Sequence, residues 1–179
     1  MTSLVYGKTY RIENGFNDWK GGFLDACGIT SCCKENLYDV STCKSFNCDQ
    51  VSSSTWEIQS VNGKANGTPV LTSDSVYLIN QYGEKSYLDV CGGGIYMKDV
   101  STTAIRKKEE TMIWIILAHS SGEIHEGDAV SLLNASFDLK DAYLNIDKYP
   151  PVCNENLFNV IAGYNPDYNH GSVQWRFLG

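Results

Sequence analysis

The sequence predicts an all-β chain of twelve short strands arranged as three repeats, and three observations carry that prediction. The first is composition. Only 8 Ala stand against 11 Tyr, 16 Gly, 17 Ser and 14 Asn, a mixture that suits strands joined by many turns better than helices. The second is a set of landmarks that recurs three times in the same order. The third is period-two alternation between the turns, which puts Ile12, Leu24, Val40 and Trp56 on one face, with their counterparts likewise.

Each repeat opens with a strand that ends in Asn: Tyr10 to Asn14, Val76 to Asn80 and Val130 to Asn134. An aromatic-Leu-acid/amide step follows, as Phe23-Leu24-Asp25, Tyr87-Leu88-Asp89 and Tyr143-Leu144-Asn145. A third step reads Asp39-Val40-Ser41, Asp99-Val100-Ser101 and Asn159-Val160-Ile161. Each copy closes on a Trp with an apolar residue two places later: Trp56 with Ile58, Trp114 with Ile116, Trp175 with Phe177. Asn62-Gly63 and Ser121-Gly122 each follow a Trp strand and read as tight hairpin turns. The repeats run approximately over 5–67, 68–127 and 128–179 of one domain, 1–179.

Three four-stranded units that each leave an apolar face bare must close on one another. A six-stranded barrel capped by three hairpins achieves this and removes most free strand edges. On these landmarks the chain resembles the β-trefoil superfamily, with pseudo-threefold repeats, over essentially its whole length. Phe23-Leu24-Asp25-Ala26 and Tyr87-Leu88-Asp89-Val90 look like the Leu-Asp-Val step of ricin-B-type lectins, where that Asp is the main acceptor for sugar hydroxyls. The Gln that such lectins carry two places before the core Trp is absent, since Ser54, Met112 and Val173 stand there. The Val-x-Leu-x-Asn opening resembles fascin- or MIR-type trefoils instead.

The resemblance implies a set of sugar sites. Asp25, Asp89 and Asn145 follow an inward Leu, so alternation is expected to turn them outward. Tyr38, Tyr96 and Phe158 would supply aromatic plates for the apolar sugar face. The expected pairs are Asp25 with Tyr38, Asp89 with Tyr96, and Asn145 with Phe158. The alternative is that these acids and amides cap turns through side-chain to backbone bonds, as Asn14, Asn80 and Asn134 are expected to do. Trp56, Trp114 and Trp175 read as core. Trp19, in the polar loop from Asn17 to Gly22, has no counterpart in the other repeats. It is either a stacking platform or a cover over the barrel end.

Charge and hydropathy narrow the partners. The longest apolar run, Met112 to Ala118, is far shorter than the about 20 residues of a membrane-spanning helix. Met1 to Gly7 show no charged leader followed by an apolar stretch. With 14 basic and 21 acidic residues the net charge is −7, and the basic cluster Arg106-Lys107-Lys108 is followed at once by Glu109 and Glu110. Nucleic acid and anionic membrane are therefore poor partners.

Five of the 7 Cys lie between Cys27 and Cys48: Cys27, Cys32, Cys33, Cys43 and Cys48, with Cys91 and Cys153 further on. Their spacing does not match zinc knuckles. One or two disulfides within the Cys27–Cys48 loop are expected, in a secreted or extracellular setting, and the odd total leaves a thiol free or paired between chains. His119, His125 and His170 share no motif, although His119 and His125 flank one turn. No nucleophile elbow, phosphate-cradling loop or metalloprotease helix is present, so no metal, no cofactor and no enzymatic activity are expected. The expected function is non-catalytic binding of a glycan or glycoprotein through shallow, repeat-related pockets. The rivals are a protein-interaction module of fascin or MIR type and a protease inhibitor acting through the Cys27–Cys48 loop.

Overall fold

A computed structural model describes residues 1–28, 33, 36–45, 52–92, 94, 97–104, 110–136, 142–147, 153, 156–164 and 171–179. Tyr96, Cys32, Cys48, His170 and the Arg106 to Lys108 cluster lie outside the described residues. The strands are β1 (Thr9–Asn14), β2 (Phe23–Cys27), β3 (Tyr38–Cys43), β4 (Trp56–Ser60), β5 (Ser75–Asn80) and β6 (Ser86–Cys91), followed by β7 (Met97–Thr103), β8 (Trp114–Ala118), β9 (Val130–Asn134), β10 (Ala142–Asp147), β11 (Phe158–Tyr164) and β12 (Trp175–Leu178). The landmark Asn residues end β1, β5 and β9, and the landmark Trp residues begin β4, β8 and β12. Among the described residues, helical structure is confined to a 3-10 turn at Glu110–Met112, while Phe16–Trp19 form a tight turn with left-handed backbone. No helix there is long and apolar enough to cross a membrane.

The pairings close a barrel. β1 pairs with β12 and β4, β4 with β5, β5 with β8, β8 with β9, and β9 with β12, all antiparallel. The ring therefore returns to its starting strand. The remaining strands form hairpins β2–β3, β6–β7 and β10–β11, which hang from β1, β5 and β9. β3, β7 and β11 pair with each other in a triangle. Closure leaves few edges for a further chain to pair with.

Two sets of hydrogen bonds explain why the landmarks sit where they do. Trp56, Trp114 and Trp175 are each 0% exposed, and a buried indole N–H needs an acceptor. Their Nε1 atoms donate to the carbonyls of Leu24, Leu88 and Leu144 at 2.8, 3.1 and 2.9 Å. Each indole removes on the order of 200 Å² from water, up to about 5 kcal/mol of hydrophobic stabilisation. The Asn residues behave as turn formers. Oδ1 of Asn14, Asn80 and Asn134 accepts the N–H of Phe16, Tyr82 and Ser136. Their Nδ2 atoms donate to the carbonyls of Ser172, Ser53 and Thr111, on the segments that lead into the Trp strands.

Two disulfides run outside the loop in which bonds were expected. Cys27 bonds to Cys153 and Cys33 to Cys91, at sequence separations of 126 and 58. Cys43 is also disulfide-bonded, and because the other four described cysteines pair with each other, this bond agrees with the expected disulfide inside the Cys27–Cys48 loop. The two bridges tie one hairpin region to another rather than stapling the Cys27–Cys48 loop to itself. The reason is the hairpin triangle, which brings distant hairpin ends together.

Where the chain enters the barrel, Tyr6 donates its hydroxyl to Asp74 Oδ2 at 2.7 Å, and Lys64 Nζ reaches both Asp74 oxygens at 2.7 and 2.9 Å. Burial and the Asp74 carboxylate push the Tyr6 phenol well above its ordinary value. Burial alone would raise the Asp74 carboxyl, but hydrogen bonds from Lys64, the Leu71 N–H and Tyr6 outweigh it and hold it low.

Candidate functional site

The structure turns the expected sugar acceptors inward. Asp25, Asp89 and Asn145 are 0%, 2% and 8% exposed. Asp25 Oδ1 accepts the hydroxyls of Ser53 and Ser54, both at 2.6 Å. Asp89 Oδ2 accepts from Asn36 Nδ2 at 3.0 Å, and the same amide donates to Ser101, which sits opposite Asp89 in the hairpin. Asn156 donates to Ser41, opposite Asp25. The Asn145 carbonyl oxygen meets no partner among the described residues. Alternation assigned these residues correctly to the hairpin face away from Leu24 and Leu88. That second face is covered, however, by segments leading into β3, β4 and β11, so it never reaches solvent. The acids and amides lock hairpins to their neighbours.

The expected pairs do not form. Asp25 is opposite Ser41 and Cys27 opposite Asp39, so Tyr38 lies on the other face of that hairpin from Asp25. Tyr38 packs on Tyr82 with ring centroids 5.1 Å apart. Phe158 packs edge-on against Phe16 at 5.4 Å, while Asn145 faces Ile161. Tyr96, the plate expected for Asp89, is outside the described residues.

An open pocket of about 160 Å³ lies elsewhere, on the outer wall of the barrel between β8, β9, β10 and the segment entering β12. Leu117, His119, Ser131, Tyr143 and Gln174 line it. Its origin is visible by comparison with the preceding repeat, whose equivalent positions hold Gln59, Val61, Tyr77, Tyr87 and Ile113. There Tyr77 meets Tyr87 edge-on at 5.5 Å, and Val61, Met112 and Ile113 pack into the same cluster. Ser131 stands where Tyr77 would stand, and the missing ring leaves Tyr143 facing open space. The lining offers one aromatic ring, an amide, a hydroxyl and an imidazole, with no carboxylate, ammonium or guanidinium. Such groups are able to exchange hydrogen bonds with neutral hydroxyls, and such a ring is able to cover an apolar face.

Trp19 does not line this pocket, but the turn that carries it touches the pocket residue Gln174. The turn that carries it begins at Gly15, whose N–H donates to the Gln174 carbonyl at 2.8 Å. Arg176, two residues beyond Gln174, stacks over the Trp19 ring at 4.3 Å and is held by Glu13. His125 is engaged with Asp128 rather than with the pocket. Among the described residues no group of His, Cys, Asp and Glu is arranged to hold a metal ion. Ser131, Gln174 and His119 were not singled out as ligand residues by sequence. Aligning the repeats and asking which outward position had lost its bulk would have found them.

The fold has solved relatives. The chain matches an SDF2-like protein from Arabidopsis thaliana with a TM-score of 0.75 and 13% identity, over 98% of this chain and 94% of that one. It matches part of the Saccharomyces cerevisiae protein O-mannosyltransferase Pmt1-Pmt2 complex bound to the sugar donor, with a TM-score of 0.77 and 11% identity, over 99% of this chain and 25% of that one. It also matches the receptor binding domain of botulinum neurotoxin D, with a TM-score of 0.69 and 15% identity, over 100% of this chain and 43% of that one. In the last two cases this chain spans less than half of the longer partner. At such identities the likeness is one of fold. No protein-family model matches the sequence, and no curated protein matches it.

Proposed function

We propose that the chain is a β-trefoil binding module that takes a neutral carbohydrate, free or on a glycoprotein, in the Tyr143 pocket. The trefoil assignment is supported by the closed ring of strands, the hairpin triangle and the Trp-to-Leu bond made three times. Related folds occur in a toxin receptor-binding domain and in a mannosyltransferase complex bound to its sugar donor, which is compatible with such a role.

One observation carries the ligand reading: Ser131 replaces a packed tyrosine and leaves a solvent-facing Tyr143 ring framed by Gln174, Ser131 and His119. A pyranose presents an apolar C–H face and a rim of hydroxyls, which that arrangement complements. Binding is non-catalytic and needs no cofactor. Glycoside chemistry generally uses a pair of carboxylates, and the pocket lining contains none. A shallow site of this kind binds one sugar unit weakly, at ~0.1–1 mM. The long-range disulfides fit a protein that matures in an oxidising compartment.

A glycan array tests the reading. The intact chain should select neutral glycans, and Tyr143→Ala should lose them while keeping its far-ultraviolet circular dichroism spectrum. Retained glycan binding by Tyr143→Ala would rule out this pocket. An array on which no glycan binds the intact chain would favour a protein partner instead.

A further inference from the structure

We propose that the ligand of the Tyr143 pocket is a neutral oligosaccharide whose further sugar units lie along β12 and are held by Trp19. This rests on the carbohydrate reading of the pocket. Gln174 lines the pocket, and Arg176 follows it on the same outward face, about 7 Å further along the strand. That step is comparable with one pyranose unit. The Arg176 guanidinium lies 4.3 Å from the centroid of the Trp19 ring. Glu13, directly opposite Arg176, holds it through Nε at 2.6 Å and Nη2 at 2.5 Å. The indole is therefore held against Arg176, one outward position along the chain from the pocket residue Gln174.

The fold, rather than a ligand, orders this plate. Asn17, Asp18 and Trp19 have φ of 48°, 60° and 61°, three consecutive non-glycine residues in the left-handed region. Such residues cost roughly 1–2 kcal/mol each, so the surroundings must impose the turn. Lys20 N–H bonds to the Phe16 carbonyl at 2.8 Å, Phe16 N–H to Asn14 Oδ1 at 3.0 Å, and the Phe16 ring packs on Phe158. Gly21 closes against Asn14, where a Cβ would collide with the side-chain amide oxygen. At the pocket end, a Cβ on Gly15 would lie 3.0 Å from Gln174 Cβ, so the turn and the pocket rim are in contact. An aromatic plate ordered in advance loses little freedom when a ligand arrives.

Charge selects the class of sugar. The Arg176 guanidinium is paired with Glu13, and the pocket lining holds no Lys or Arg, so the pocket offers a sialylated or sulfated unit no ammonium or guanidinium. The paired guanidinium and carboxylate remain planar hydrogen-bonding groups for hydroxyls beside the indole. Because neither of the other repeats carries a Trp in its corresponding loop, the molecule has one extended site here rather than three equal shallow ones.

The full chain is titrated with methyl glycosides of glucose, galactose, mannose and N-acetylglucosamine and with their unbranched homo-oligomers of two to four units. The affinity for at least one series should rise about tenfold between one unit and three. In Trp19→Ala the oligomers should bind no tighter than the monosaccharide, Trp19→Phe should recover part of the gain, and Tyr143→Ala should lose both. A flat dependence on length, or a rise that survives in Trp19→Ala, overturns the second subsite while leaving the pocket reading intact. Undiminished binding by Tyr143→Ala, or no binding of any series by the intact chain, overturns the pocket reading itself. Tighter binding of a sialylated trisaccharide than of the neutral ones overturns the charge argument.

Discussion

Asp25 shows how a residue can be placed on the right face of a strand and still be misread. The period-two pattern puts it opposite Leu24, and the structure agrees, but the surface it points to is covered by Ser53 and Ser54. Alternation reports direction relative to the barrel core and is silent on what lies over the other side. Nothing in the residues around Asp25 says that a loop nearly thirty residues on will fold back over it. The consequence is a prediction opposite to that for a sugar acceptor. Asp25→Ala should lower stability by about 1–3 kcal/mol, because it strands two buried hydroxyls, and should leave glycan affinity unchanged when measured well below the melting temperature. Asp74 gives a prediction in pH. Its folded-state carboxyl sits below the ordinary 3.8, so its contribution to stability is fully present above that value. It is lost as pH falls through the lower folded-state value. Denaturant melts between pH 5 and 2 should show an acid-side loss of stability that is smaller in Asp74→Asn; equal losses in both proteins would contradict the assignment.

At the scale of elements, much more was legible. The Asn and Trp landmarks fall on strand ends and starts because Asn ends a strand by bonding forward to the backbone, and Trp must begin where its N–H finds a hairpin carbonyl. The turns at Asn62-Gly63 and Ser121-Gly122 place their glycines at φ +76° and +104°, as hairpin glycines require. The disulfide partners were not legible. Cys27 and Cys91 occupy the same place in β2 and β6, yet their bonds run to Cys153 and Cys33, and only the triangle of β3, β7 and β11 brings such positions together. A bridge of this span restrains the unfolded chain strongly. Replacing Cys33 and Cys91 together by Ser should cost about 4 kcal/mol. Peptide mapping without reduction should recover the Cys33–Cys91 and Cys27–Cys153 linkages from the oxidised protein, and a Cys27–Cys33 linkage instead would contradict this architecture.

For the whole molecule, the Asn and Trp landmarks that recur in the sequence also mark where the closed ring of strands departs from regularity. Wall positions that correspond by the sequence landmarks are filled by Tyr77 against Tyr87 in one place and opened by Ser131 beside Tyr143 in the other. The chain therefore contains its own control, a closed version of the site it is proposed to use. That comparison was available in the sequence, but its meaning depends on knowing that Val61, Tyr77, Tyr87 and Ile113 share one cluster on the outer wall. The test follows from the same substitution. Ser131→Tyr should rebuild the edge-to-face pair with Tyr143 and fill the pocket without disturbing the core on the opposite face of β9. Calorimetric titration of this variant, beside the intact chain, with the glycan that the intact chain binds best measures the central claim directly. The account predicts that Ser131→Tyr melts at or above the temperature of the intact chain and shows no heat of binding. Wild-type affinity in a folded Ser131→Tyr protein would contradict it.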